Sequence, residues 1–386
     1  MKSFYKVFIP VLAIGLFSFS SCKKDDTTPE LPNRTVVVYM VSDNALYENA
    51  LDNIEQMKDG WGAYDGNLII YFDSPYDLPR LMKMEKNGTL TTIKAYPDQN
   101  SSLPGVMKGA IADAQRLYPA KSYGVILWSH GTGWVPYNTF YSNARSMDSG
   151  VQYLHSNVIL PEGFVKTFAG TMTLQEVDQA LPSGLDFIIF DACFMGGIEV
   201  AYELRDKASY ILASPTEILS YGMPYEDIIP ELFETEADLL SAAQKYYAFY
   251  RNQTGYSCSG SIGLVKCSEL EALALATKNI VQNKWETIQQ LDLLSVQILD
   301  RYVLPVYHDL GDFIQKISTP GEYAGFAAQL DKTVLYKAST PYFVDVSLDE
   351  FSGLSCFIPK DQGDKFLIPY ARLDWAKAIG LSSYIQ

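Results

Sequence analysis

Histidine and cysteine are scarce in this sequence. Three histidines and five cysteines occur among 386 residues, so few pairs of side chains can serve as a nucleophile and its base. No two cysteines have CxxC spacing, which argues against a thioredoxin-like motif and a zinc ribbon. The GxSxG, Walker A and HExxH motifs are also absent, so nothing indicates an α/β-hydrolase, a P-loop protein or a zinc peptidase. No metal ligands are predicted.

Basic residues are outnumbered as well. The chain has 30 Lys and Arg against 45 Asp and Glu, a formal net charge of −15. A nucleic-acid partner would need a basic surface, so none is predicted, and an acidic surface instead favours cationic substrates. Because 48% of the residues are hydrophobic, the chain can bury a large core without a disulfide scaffold. Cys258 and Cys267 are expected to be unpaired.

The N-terminal apolar run is short. Val7–Phe19 cannot span a bilayer, and it follows Lys2 and Lys6 as the apolar part of a signal peptide does. The stretch that ends at Cys22 resembles a bacterial lipobox, which implies that Cys22 becomes the lipidated N-terminus. The alternative is an ordinary secretory signal cut nearby. Residues 1–22 are therefore predicted to be a signal peptide and residues 23–33 a polar tether.

The charged stretch at residues 22–26 (CKKDD) follows this apolar run directly. It resembles the export signal of surface lipoproteins in some Gram-negative bacteria. The resemblance implies a cell-envelope location, as an outer-membrane lipoprotein that is either surface-exposed or periplasmic.

Strand and helix patterns alternate along the first half of the chain, which predicts an α/β fold with a mostly parallel sheet. Single helices are predicted at Ser268–Leu291 and Asp364–Ala378. We expect one domain over residues 34–386, with a core over about 34–235 and a C-terminal α/β extension over about 236–386. The near-continuous apolar runs expected of strands covered on both faces are Thr35–Val41, Asn67–Phe72, Tyr123–Ser129, Leu185–Phe190 and Ser209–Ala213.

Two of these runs are followed, at their carboxyl ends, by residues with reactive side chains. Tyr123–Ser129 leads into His130, and Leu185–Phe190 leads through a short loop to Cys193. The carboxyl ends of parallel strands are where open α/β sheets bind ligands. A thiolate at Cys193 would be the nucleophile, with His130 as general acid and base. The alternative is a buried core cysteine and a histidine in a turn.

Neighbouring residues supply further candidate roles. The backbone N–H groups of Gly131 and Cys193 are candidate oxyanion donors. Asp191 lies two residues before Cys193 and so faces the same way, where its carboxylate could attract a Lys or Arg side chain; alternatively it bonds loop amides. Glu217 is the second candidate for that role. Asn44 follows the first strand, where it either assists substrate binding or caps its helix.

At these residues the chain resembles the clostripain family of cysteine peptidases, which are relatives of caspases, legumains and gingipains. The stretches that carry the resemblance are TVVVYMVSDNALYENALDNIEQM, YGVILWSHGTGW, LDFIIFDACFMGGIEVAYEL, SYILASPTEILSYGMPY and FSGLSCFIP. The resemblance implies a caspase-like three-layer α/β sandwich, a His130–Cys193 dyad, cleavage after Arg or Lys, and Asp191 at the base of the S1 pocket. Met223 stands where the family commonly has Trp.

The resemblance also implies maturation by self-cleavage between the histidine and the cysteine, and an activity that calcium often supports, although the chemistry needs no cofactor. Arg145 is the candidate cleavage point. The function predicted is a secreted, lipid-anchored endopeptidase that cuts protein or peptide substrates after basic residues. Two other functions stay open: a non-catalytic surface binding lipoprotein on the same scaffold, and an amidase or transpeptidase that uses the same dyad.

Overall fold

The computed structural model describes Met1 and residues 30–136, 172–302, 304–360 and 365–385. Cys22 and Arg145 lie outside these ranges. Residues Pro32–Gln386 gather into one unit. The strands, in chain order, are β1 (Arg34–Val41), β2 (Gly66–Asp73), β3 (Arg80–Met84), β4 (Leu90–Ala95), β5 (Ser122–Trp128), β6 (Leu185–Asp191), β7 (Ala208–Ala213), β8 (Ser261–Lys266), β9 (His308–Asp309), β10 (Val334–Ser339), β11 (Tyr342–Phe343), β12 (Val346–Ser347) and β13 (Ser355–Cys356).

Nine of these strands form one sheet, in the order β10-β8-β7-β6-β5-β1-β2-β3-β4. The five central strands, β7, β6, β5, β1 and β2, are parallel to their neighbours within this group. The edges are antiparallel, with β8 and β10 on one side and β3 and β4 on the other. The mostly parallel sheet predicted from the apolar runs is therefore confirmed. Strands β8 and β10 come from the sequence after residue 236 and join the same sheet.

The helices cover both faces of this sheet. All eight residues of β1 are buried, as expected of a strand with helices on either side. The helices are α1 (Tyr47–Asp59), α2 (Pro104–Leu117), α3 (Leu174–Ala180), α4 (Ile198–Glu203), α5 (Tyr225–Leu232), α6 (Leu239–Arg251), α7 (Leu270–Val281), α8 (Trp285–Gln290), α9 (Leu310–Ile317), α10 (Pro320–Thr333), α11 (Leu367–Ala371) and α12 (Asp374–Ala378). One group of packed helices contains α1, α5 and α6, and another contains α2, α3, α4, α7, α9, α10, α11 and α12.

Two predicted helices are interrupted. The segment Ser268–Leu291 is not one helix, because it breaks between α7 and α8, where the ammonium of Lys284 binds the Ile317 carbonyl and the Glu322 carboxylate. The last predicted helix divides into α11 and α12. Leu373 between them is extended, and the Asp374 amide donates to Glu203. Both interruptions depend on partners far away in the sequence, so local periodicity does not indicate them. No helix in the described ranges has the length and apolarity to cross a membrane.

The carboxyl ends of β1, β5 and β6 lie side by side. Met40 pairs with Trp128, and Trp128 pairs with Asp191. The short strand β13 reaches the same edge, because the Ser355 amide donates to the Gly196 carbonyl at 3.1 Å. This edge of the sheet carries the residues that the sequence singles out.

Candidate active site

The loops that carry His130 and Cys193 touch at Gly131. An ideal Cβ built on Gly131 would lie 2.5 Å from the carbonyl oxygen of Cys193, 3.1 Å from its amide nitrogen and 3.0 Å from the Cβ of Ala192. Only glycine allows so close an approach of two backbones. The structure therefore brings together the two residues predicted to supply oxyanion donors, on loops that follow adjacent parallel strands.

Cys193 is enclosed by the loop that follows β7. The residue is 1% exposed, and its sulfur accepts a hydrogen bond from the Ile218 amide at 3.2 Å. The sulfur also lies 3.7 Å from the Ile218 carbonyl oxygen. An amide aimed at sulfur is a contact that the thiolate, the nucleophilic form of cysteine, accepts well.

The backbone directly after Cys193 is strained. Phe194 has a φ of 61°, a left-handed conformation that is an outlier for a bulky side chain. Its amide donates to the Thr216 carbonyl at 2.9 Å, and two residues later the Gly196 amide donates to the Ser214 carbonyl at 2.7 Å. Strain of this kind clusters at functional sites and persists only where the surroundings hold it. The loop after β7 is part of those surroundings.

His130 lies beside a cavity at this edge of the sheet. It is 9% exposed and lines a cavity of about 120 Å³ together with Asn44, Phe190 and Ala192. Among the described residues of the cavity wall, neither Asp191 nor Cys193 occurs. Successive side chains along a strand point to opposite faces, so Phe190 and Asp191, the last two residues of β6, point opposite ways.

Asp191 is completely buried and hydrogen-bonded to the segment after β7. Its Oδ2 accepts from the Met223 amide at 3.1 Å and from the Tyr225 hydroxyl at 2.9 Å. Burial, and then the nearby Asp191 carboxylate, raise the pKa of both Tyr225 and Tyr246 well above the ordinary value for tyrosine. Those hydroxyls therefore stay protonated. Met223, which stands where the family commonly has Trp, is itself fully buried.

The two other predicted substrate-binding residues make local or structural contacts. Asn44 accepts from the Leu46 amide at 2.9 Å and donates to the Val41 carbonyl at 3.3 Å, so it holds the turn before α1 while lining the cavity beside His130. Glu217 forms a buried ion pair with Arg301, at 2.6 Å from Nε and 3.2 Å from a terminal guanidinium nitrogen. Sequence reasoning missed Arg301, because its partner lies 84 residues away.

The remaining histidine and cysteines in the described ranges sit in structural positions. His308 is 1% exposed, and burial, followed by the charge of Lys360, lowers its pKa to about 4. Cys258, Cys267 and Cys356 form no disulfide bond, which confirms the prediction for Cys258 and Cys267. Within the described ranges, no group of three or more His, Cys, Asp or Glu residues is arranged to hold a metal ion.

The mostly parallel sheet and its covering helices match those of caspase-like C11 protease structures. Residues 38–379 match the clostripain family, so the chain belongs to that family and is a cysteine peptidase. It is 32% identical to an inactive zymogen C11 protease from Parabacteroides distasonis, with a TM-score of 0.79 over 91% of this chain and 99% of the relative.

Two further relatives are similar. A secreted C11 cysteine protease from Bacteroides thetaiotaomicron, whose X-ray structure holds an irreversible peptide inhibitor, is 30% identical, with a TM-score of 0.74 over 91% of this chain and 99% of the relative. Clostripain from Hathewaya histolytica is 27% identical over 230 residues, which are 51% of this chain. The match spans only 42% of the length of clostripain.

Proposed function

We propose that the chain is an endopeptidase that cuts after Arg or Lys, with Cys193 as nucleophile and His130 as general acid and base. The observation that carries the proposal is the contact of Gly131 with the Cys193 backbone, which joins the two reactive loops. In this mechanism the Cys193 thiolate attacks the scissile carbonyl carbon, and the Gly131 and Cys193 amides bind the oxyanion. His130 protonates the leaving amine and then takes a proton from the water that hydrolyses the thioester.

The preference for basic residues rests on Asp191. Its carboxylate is fully buried two residues before Cys193, and both it and the Cys193 sulfur accept hydrogen bonds from the segment after β7. A Lys or Arg side chain that reached it would form a desolvated ion pair, and the net charge of −15 favours the approach of cationic substrates. Because the Met223 amide and the Tyr225 hydroxyl bond the carboxylate, a substrate side chain reaches it only if this segment moves.

Fluorogenic peptides that vary at P1 provide the test. Wild-type protein is compared with Cys193→Ala and with Cys258→Ala, a matched control at a half-buried free cysteine. Cleavage after Arg and Lys that is lost only in Cys193→Ala supports the proposal. Cleavage after other residues contradicts the basic preference. If no peptide is cleaved, the peptidase proposal is contradicted. That result would favour an amidase, a transpeptidase or a non-catalytic binding lipoprotein.

Maturation by self-cleavage is proposed at the Arg145-Ser146 bond. Besides Lys166, Arg145 is the sole Lys or Arg between Val135 and Leu185 in the sequence. If the enzyme cuts itself there, purified wild type runs as two associated fragments and Cys193→Ala as one chain. A fully active, intact wild type would show that no internal processing is needed.

Anchoring through a lipid on Cys22 is proposed from the lipobox. Wild type expressed in a Gram-negative host should partition into detergent, and Cys22→Ala should not. Equal partition of both forms into the aqueous phase would leave an ordinary secretory signal as the explanation.

A supporting role for calcium is proposed from the family alone. The described residues contain no cluster that fits such an ion, so we assign no residue to it and route no step through it. Activity measured with and without a chelator tests this point.

A further inference from the structure

A short segment from the C-terminal part of the chain crosses the edge of the sheet where β5, β6 and β7 end. We call this segment, residues 299–302 and 304–307, the strap. It is closed by the Leu299 amide, which donates to the Tyr307 carbonyl at 2.8 Å. The buried carboxylate of Asp300 fixes the backbone of the strap through hydrogen bonds. That group accepts from the Tyr302 amide at 2.9 Å and from the Val306 and Tyr307 amides at 2.7 Å each.

The strap contacts the loops that follow three neighbouring strands. On the β7 side, Arg301 forms its buried ion pair with Glu217. On the β6 side, the Tyr307 ring stacks on the Phe194 ring, with centroids 4.4 Å apart and planes 6° apart. On the β5 side, the Tyr307 hydroxyl donates to the Thr132 carbonyl at 2.5 Å.

Each contacted residue is next to, or near, a proposed reacting group. Thr132 is two residues after His130, and Phe194 directly follows Cys193. Glu217 directly precedes Ile218, whose amide binds the Cys193 sulfur. A single short segment therefore spans the loops that carry the proposed base, the nucleophile and the amide that holds the nucleophile.

From this arrangement we infer that the strap sets the position of His130 relative to Cys193, with Tyr307 and Arg301 as positioning residues; the inference rests on the proposed function. The loops belong to different strands, and a loop held only at its ends is the least stable part of a fold. Phe194 is in a strained conformation that its neighbours must hold, and the Tyr307 ring covers it. Reacting groups displaced by about 1 Å lose about a hundredfold in rate.

Tyr307→Phe isolates the positioning role. It keeps the ring on Phe194 and removes the hydrogen bond to the Thr132 carbonyl. Tyr323→Phe is the matched control. Tyr323 is a partly buried tyrosine on α10, away from this edge, and the change likewise removes one hydroxyl. We expect Tyr307→Phe to lower kcat at least about tenfold with KM nearly unchanged and to alter the pH profile of kcat/KM. The control should match wild type.

The paired change of Arg301→Met with Glu217→Gln removes both buried charges together and leaves neither unpaired. Provided that its circular dichroism spectrum and cooperative melting match wild type, kcat should again fall at least about tenfold. Wild-type kcat and pH profiles in both the single and the paired variant would overturn the inference.

Alkylation of Cys193 separates this inference from the proposed function. The rate of reaction with iodoacetamide, followed against pH, reports the pairing of Cys193 with His130 without a peptide substrate. An altered profile in Tyr307→Phe supports positioning even if wild type cleaves no peptide, an outcome that would overturn only the peptidase proposal. Identical profiles in wild type and Tyr307→Phe would overturn the inference itself.

Discussion

Replacing Gly131 with alanine should slow the enzyme about a hundredfold while leaving it folded. The added Cβ would lie 2.5 Å from the Cys193 carbonyl oxygen, whereas ordinary contact begins at 3.4 Å. The loops must therefore separate by about 0.9 Å, the difference between these distances. The opposing atoms include the Cys193 backbone, which cannot rotate away as a flexible side chain would. Gly131 is not among the residues with positive φ, so the effect comes from lost space alone.

The size of the effect follows from this displacement. A misplacement of about 1 Å costs about a hundredfold in rate, which corresponds to about 2.7 kcal/mol of transition-state stabilisation. Overpacking typically costs about 1–3 kcal/mol of folding free energy, which a domain of this size tolerates. We therefore expect kcat/KM to fall about a hundredfold with a modest decrease in Tm.

Gly109→Ala is the matched control, because Gly109 lies in α2 and a Cβ there meets no atom within 4 Å. It should gain roughly 1 kcal/mol of stability and keep wild-type activity. Both variants are assayed with the best basic P1 peptide and melted by circular dichroism. Wild-type kcat/KM in Gly131→Ala would refute the claim that close backbone packing sets the geometry of the two loops.

Three further outcomes are expected. Cys193→Ala and His130→Ala should each abolish peptide cleavage with little loss of Tm, and activity left in either would refute the dyad. Asp191→Asn keeps an acceptor for its two donors but removes the charge. The substrate's Lys or Arg would then be buried without its partner, which costs about 3–5 kcal/mol, so cleavage after Arg and Lys should fall at least about tenfold. An equal loss on peptides with a neutral P1 residue would indicate a structural role for Asp191. Burial raises the pKa of Glu199 to about 8, although the Phe357 amide donates to it. The folded state keeps the Glu199 proton up to about pH 8, whereas the unfolded state loses it near pH 4. The contribution of the protonated carboxyl to the free energy of unfolding is therefore complete below pH 4 and disappears as the pH rises to 8. At about 1.36 kcal/mol per pKa unit, the full effect is on the order of 5 kcal/mol, and Glu199→Gln should melt above wild type at pH 8 but not at pH 4; equal melting at pH 8 would contradict the argument.

Local signals in the sequence predicted the parts of the fold that depend on near neighbours. The apolar runs mark the central parallel strands, because a strand covered on both faces is apolar throughout. Two further local signals are the Asn-Gly turn at residues 87–88, where Gly88 has a φ of 79°, and the capping box at Thr173, which accepts from the Glu176 amide. Single helices at Ser268–Leu291 and Asp364–Ala378 were wrong, because distant partners interrupt them.

The candidate site divides in the same way. The sequence places His130 and Cys193 after adjacent apolar strands, and the spacing of two residues predicts that Asp191 faces the same way as Cys193. It does not show that Met223 and Tyr225 bond the Asp191 carboxylate, because these contacts need the segment after β7 to fold back over the sheet edge.

The sequence by itself thus determined the five central parallel strands and the order of the reactive residues after them, since strand periodicity and turn chemistry act over a few residues. Tertiary structure alone decided how closely Gly131 packs on Cys193, which segment encloses the sulfur and which strap spans the loops. Arg301 meets Glu217, and Tyr307 meets Phe194, across more than eighty residues of chain. Such contacts form only when the whole chain has packed, so they have no local signature.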